Sequence, residues 1–212
     1  MTITLDYTNM MADAIGPEYG ITDEELGELK APARAYHEKI QARRESGDLA
    51  FYELPYQDES LAQIVSFAGQ LQGAFDDLVV LGIGGSALGT TAIFNALCPR
   101  HNLLSKTDRN GLPRLFVLDN VDPDGFAASL ALCDPRRTCF LVISKSGSTV
   151  ETTGQVLVGR LWVEAAVGVS FRDHFVMITD QETGALRELA EREGYRSFAI
   201  PGGVGGRFSV FT

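Results

Sequence analysis

Leu78-Val79-Val80-Leu81-Gly82-Ile83-Gly84-Gly85-Ser86-Ala87-Leu88-Gly89 is the stretch on which the fold turns. Its opening apolar run, rich in valine and leucine, reads as a strand buried on both faces, the kind that builds parallel sheets. The glycines then force a tight turn, and the small residues from Ser86 onward open a helix. The uncharged segment runs from Leu78 to Pro99, 22 residues, which is long enough to span a bilayer. Gly82, Gly84, Gly85, Ser86, Gly89, Thr90, Thr91 and Asn95 interrupt it. A strand, a glycine turn and a buried helix explain it better.

The same rhythm continues to the end of the chain. Apolar runs at Leu78–Gly82, Leu115–Leu118, Cys139–Ile143, Phe175–Thr179 and Ser197–Ile200 alternate with helix candidates near Ser86–Leu97, Pro123–Leu132, Thr149–Ala166 and Gly184–Glu193. Strands joined by helices predict a doubly wound, five-stranded parallel α/β sheet, flavodoxin-like in order 2-1-3-4-5. Before it, residues 1–75 read as a helical extension packed on the sheet domain of residues 76–212. Thr22 and Glu25 have capping-box spacing ahead of a helix that ends near Gly47, and Pro32 should kink or split it. A second helix is predicted from Asp58 to Leu71, with Gly73 as its stop.

Composition narrows the function classes. Eighteen Lys+Arg against 28 Asp+Glu leave a formal net charge of −10, the wrong sign for a nucleic-acid or anionic-membrane partner. Lys106, Arg109, Arg114, Arg136 and Arg137 read as a scattered, solvated basic face. The cysteines Cys98, Cys133 and Cys139 are odd in number and unpatterned, as expected of mostly buried thiols in a reducing compartment. His37, His101 and His174 lack metal-ligand spacing. With no signal-peptide pattern at Met1 to Asp6, the expectation is a soluble, cytoplasmic protein.

Three loops carry the chemistry. In the first, Gly82 to Gly89, glycine backbone N–H groups and a helix N-terminus can receive an anion. Gly82-x-Gly84-x-x-Ala87 also fits a relaxed dinucleotide fingerprint, but its acidic partner should stand ~20 residues on. The nearest strand-end acid, Asp119, lies 32 residues beyond Ala87. The second loop is Ser144-Lys145-Ser146-Gly147-Ser148-Thr149-Val150-Glu151-Thr152. Hydroxyls, N–H groups and one Lys at a helix N-terminus are what a phosphomonoester requires. Ser148 and Glu151 have capping-box spacing, so the cap explains those two and leaves Ser144, Lys145 and Ser146 unexplained. Strands one and three are neighbours in the predicted order, so both loops open into one crevice. In the third loop, Pro201 to Ser209, four glycines surround Arg207, whose planar, permanent charge suits a developing oxyanion.

Together these segments resemble the glucose-6-phosphate isomerase (phosphoglucose isomerase) family. Gly-Ile-Gly-Gly-Ser-x-Leu-Gly at 82–89, Ser-Lys-Ser-Gly-Ser-Thr-x-Glu-Thr at 144–152 and Gly-Gly-Arg-Phe-Ser at 205–209 stand in that family's order. The resemblance implies a sugar-isomerase (SIS) domain that needs no metal or organic cofactor. It implies that Ser144, Lys145, Ser146 and Thr149 hold the phosphate, that Gly85 and Ser86 contact the sugar, and that Arg207 stabilises the enediolate of aldose–ketose conversion. The family's substrates are glucose 6-phosphate and fructose 6-phosphate, in glycolysis and gluconeogenesis, and its members are homodimers. Its catalytic Glu, His and Lys lie downstream of the arginine signature, the His coming from a partner subunit. The chain is therefore expected to be an N-terminal portion, inactive in isolation. Two other readings remain at this point: a non-catalytic phosphosugar-binding SIS module, and a nicotinamide-dinucleotide-binding domain.

Overall fold

A computed structural model describes residues 3–206, leaving Arg207 outside the described residues. They divide into two compact units at Leu49. In the first, a short helix α1 (Ala12–Ile15) precedes α2 (Asp23–Glu28) and α3 (Lys30–Glu45). The Thr22 hydroxyl accepts from the Glu25 N–H while the Glu25 carboxylate accepts from the Thr22 N–H, so the expected capping box forms. The helix splits as Pro32 requires. Pro32 stands in the first turn of α3, where its missing N–H breaks no helical bond.

The second unit, from Ala50, contains α4 (Asp58–Leu71), β1 (Asp77–Leu81), α5 (Gly85–Leu97), β2 (Arg114–Leu118), α6 (Pro123–Leu130), β3 (Thr138–Ser144), α7 (Val150–Val167), β4 (Phe175–Asp180), α8 (Ala185–Glu193) and β5 (Arg196–Ile200). All four strand pairings are parallel, in the predicted order β2-β1-β3-β4-β5. The sequence set the boundary near residue 75, where the strand rhythm begins. The compact unit starts earlier because α4 is part of its packing.

Strand alternation assigns the two cores. Val79, Leu81, Phe140, Val142, Phe175 and Met177 point to one face, where Val156 and Val163 of α7, Phe126 and Leu130 of α6 and Leu186 and Ala190 of α8 cover them. On this face the fully buried Phe140 ring stacks on Phe175 at 5.0 Å between centroids. Cys139, Leu141, Val176 and Ile178 point the other way, toward Phe67 and Leu71 of α4. Burial pushes the Cys133 and Cys139 thiols up to about 12, which makes them packing groups without nucleophilic character at neutral pH.

Arg136 is exposed and Lys106 half-exposed, as a solvated face would have them, but the other basic residues are drawn into the fold. Arg109 is buried and donates to the Leu104 and Leu112 carbonyls. Arg114 grips the buried Asp77 with two hydrogen bonds, and Lys106 and Arg137 both meet Asp76. The sequence could not reveal this because each acid lies 30 or more residues from its partner. These pairs tie the amino ends of β1, β2 and β3 together, at the opposite end of the sheet from the crevice.

Hydrogen bonds from Arg137 and Lys106 lower the Asp76 carboxyl from 3.8 to about 2. A depressed folded-state value stabilises the protein above the ordinary carboxylate range, and that contribution is lost as pH falls from about 4 through about 2. Because the side chain remains 35% exposed, solvent screening reduces the effect to roughly 1 kcal/mol. Asp76→Asn should therefore flatten the acid limb of a stability-versus-pH curve from urea unfolding. Curves for mutant and wild type that stay parallel down to pH 2 would contradict the assignment.

Candidate functional site

The site lies at the carboxyl ends of β1 and β3, where the strand order reverses and the connections leave in opposite directions. Leu81 ends β1 opposite Val142 of β3, and Ser144 ends β3 opposite Thr179 of β4. The loops after β1, β3 and β4 therefore stand side by side. Gly82 is required by this closeness: a Cβ there would come within 3.2 Å of the Ile143 carbonyl oxygen and 3.0 Å of the Ser86 Cβ. Gly84, at φ +59°, turns the chain into α5, and its carbonyl accepts from the N–H groups of Ala87 and Leu88. The Ser86 N–H is likewise turned back, to the Ile83 carbonyl, so α5 meets the crevice mouth with its Gly85 end and its partial positive charge.

A cavity of about 460 Å³ fills that mouth, lined by Ile83, Gly85, Ser86, Lys145, Ser146, Thr149, Asp180, Thr183 and Gly206. Five of the six described residues expected from the motifs meet in its wall. Ser144 is the exception. It is 3% exposed and stands behind the wall, where its hydroxyl meets the Thr149 hydroxyl at 3.1 Å. Its geometry orients Thr149 and gives no direct contact with the cavity. The expected cap between Ser148 and Glu151 does not form. Helix α7 begins at Val150 with Thr149 as its N-cap residue, and no side-chain bond closes the cap. The Ser148 N–H and hydroxyl instead donate to the Ser146 hydroxyl, each at 3.3 Å. Ser148 thus steadies Ser146 from within the loop, and Glu151 faces a different cavity.

Asp180 and Thr183 were not among the residues singled out from the sequence. They follow β4, and the Asp180 carboxylate accepts from the N–H groups of Glu182 and Thr183 and from the Thr183 hydroxyl. The two N–H bonds hold this carboxyl below its ordinary range, and nearby Lys145 lowers it further. It remains an anion at neutral pH, and its three hydrogen bonds shape the turn. The signal available in sequence was the Asp-x-x-Thr spacing after a strand, which reads as a turn and not as a site. Lys145 supplies the cationic side chain of the wall among the described residues.

A larger cavity, about 800 Å³, opens between α6 and α7. Val121, Pro123, Phe126, Leu130, Val158 and Trp162 make it apolar, with only Glu151 and Gln155 as polar lining. Such a wall offers nothing to a multiply charged anion. The described residues contain no cluster of His, Cys, Asp and Glu suited to a metal ion, and no described helix is long and apolar enough to cross a membrane.

A 2-1-3-4-5 parallel sheet with a glycine loop and a hydroxyl-and-lysine loop at its switch point defines a doubly wound α/β ligand-binding protein. Comparison with known proteins narrows this. Residues 59–212 match the family model described as phosphoglucose isomerase, and the chain belongs to that family. It is 40% identical over its whole length to a glucose-6-phosphate isomerase of Carboxydothermus hydrogenoformans, spanning 46% of that protein. A glucose-6-phosphate isomerase of Thermus thermophilus is 39% identical over 82% of this chain and 39% of its own length. Among solved structures, a hypothetical protein from Thermus thermophilus superposes with a TM-score of 0.76 at 36% identity, over 88% of this chain and 43% of that one. A glucose-6-phosphate isomerase from Chlamydia trachomatis gives 0.59 at 31% identity, over 72% and 27%. The chain thus spans less than half the length of these relatives.

Proposed function

We propose that this chain is the N-terminal, sugar-phosphate-binding portion of a glucose-6-phosphate isomerase, acting on glucose 6-phosphate and fructose 6-phosphate through an enediolate. The observation that carries the reading is the convergence of Gly85 and Ser86 from one loop with Lys145, Ser146 and Thr149 from another on a single cavity. Lys145 provides charge opposite to a phosphate, and the two hydroxyls provide short charge-assisted hydrogen bonds. The N-terminus of α5 adds partial positive charge on the sugar side. Arg207, outside the described residues, is assigned to the enediolate oxygen, and Gly206 before it lines the same cavity.

Moving a proton between C1 and C2 needs a positioned base with a pKa near neutrality. Asp180 is a poor base because three hydrogen bonds stabilise its charged form. Proton transfer is assigned, as the family resemblance implies, to groups of the full-length enzyme outside this chain, and the 212-residue chain is expected to bind without turnover. A homodimeric full-length enzyme and a cytoplasmic location belong to the same reading.

Calorimetric titration of the chain with fructose 6-phosphate, beside a coupled isomerase assay on the same sample, tests this. Saturable binding without turnover is expected. Saturable binding of a nicotinamide dinucleotide with no response to the phosphosugar would overturn it.

A further inference from the structure

The phosphate loop does not hold its shape alone. The turn between β4 and α8 presses against it along three consecutive residues. The Asp180 N–H donates to the Lys145 carbonyl at 3.2 Å, and the Leu186 N–H donates to the Gly147 carbonyl at 3.0 Å. Between these two bonds, Gly184 lies so close that a Cβ would fall 2.5 Å from the Ser146 carbonyl oxygen and 3.4 Å from the Gly147 Cα. Gly184 also has φ +100°, and Gly147, at φ +64°, faces it across the contact. A side chain at 184 would meet backbone that cannot swing aside, so the loop carrying Lys145, Ser146 and Thr149 would have to move.

We propose that Gly184 is a positioning residue: the β4–α8 turn buttresses the phosphate loop, and the missing side chain at 184 sets where Ser146 and Lys145 stand. Asp180 and Thr183 serve the same end by fixing the turn from inside. This rests on reading the cavity as a phosphosugar site. The coupling of turn to loop is measurable without that reading.

The test compares wild type, Gly184→Ala and Gly194→Ala. Gly194 ends α8 at φ +74°, and a Cβ added there would have nothing within 4 Å, so alanine strains the backbone without touching the loop. Amide hydrogen exchange is read at Asp180 and Leu186, and calorimetry measures affinity for inorganic phosphate and for fructose 6-phosphate. Gly184→Ala is expected to speed exchange at both amides and to weaken both ligands by the same factor, about tenfold to a hundredfold, the worth of one hydrogen bond to a charged group. Gly194→Ala should lose stability but keep both affinities. Unchanged exchange in Gly184→Ala, or an equal loss of affinity in Gly194→Ala, would overturn the proposal. If wild type binds neither ligand, the phosphosugar reading fails, while exchange at the two amides still decides the buttress. If Gly184→Ala does not fold, Thr183→Ala removes a hydroxyl holding the turn without adding bulk. It must then speed exchange at the same amides, and unchanged exchange would again overturn the proposal.

Discussion

Arg114→Ala is expected to destabilise the protein by about 3–5 kcal/mol, because it strands a buried carboxylate. Asp77 is 1% exposed at the start of β1. Its oxygens accept from the Arg114 Nε at 2.6 Å and from a terminal nitrogen at 3.0 Å, and the same guanidinium donates to the Leu132 carbonyl at 2.7 Å. The pair joins neighbouring strands, since Asp77 is in register with Arg114. Removing the arginine leaves a desolvated charge, whereas replacing both partners with apolar groups removes the charge altogether. Arg114→Leu combined with Asp77→Val should therefore recover much of the loss. Urea unfolding of the single and double variants checks both statements. A loss below about 1 kcal/mol for Arg114→Ala would mean that the pair behaves as an exposed one.

Ser146→Ala combined with Thr149→Ala should weaken phosphosugar binding by about 3 kcal/mol, or more than a hundredfold, since each hydroxyl bond to a charged group is worth about 1.5–3 kcal/mol. The two positions are not equivalent. Ser146 is exposed at the cavity and receives two hydrogen bonds from Ser148, while Thr149 is tied to the buried Ser144 hydroxyl. Thr149→Ala alone also frees Ser144, so the single variants should couple through the loop. Titration with fructose 6-phosphate reads the effect. Unchanged affinity in the double variant would mean that these hydroxyls serve only the loop's own conformation.

The sheet was legible because strands buried on both faces leave uninterrupted apolar runs, as at Leu78 to Leu81 and Cys139 to Ile143. Chain order then fixed which loops share the crevice, and the resemblance of their motifs pointed to Gly85, Ser86, Lys145, Ser146 and Thr149, which line it. What the sequence hid depends on contacts between distant residues. Whether Ser148 caps α7 or bonds Ser146 is decided by the path of the loop, which its own four residues do not determine. Asp180 and Thr183 carry only a turn pattern in sequence, and it is the pairing of β3 with β4 that sets them beside Lys145. Lys106, Arg114 and Arg137 read as solvated because Asp76 and Asp77, their partners, are remote in sequence.

The loops after β1 and β3 should bind phosphosugar as one cleft. Amide chemical shifts of the isotopically labelled chain, followed as fructose 6-phosphate is added, report whether they do. Shifts should move together, with one saturation curve, at Gly85 and Ser86 and at Lys145, Ser146 and Thr149, while the amides around Asp76 and Asp77 at the far end of the sheet stay still. Movement of only one loop, or of residues lining the apolar cavity between α6 and α7, would contradict a shared cleft.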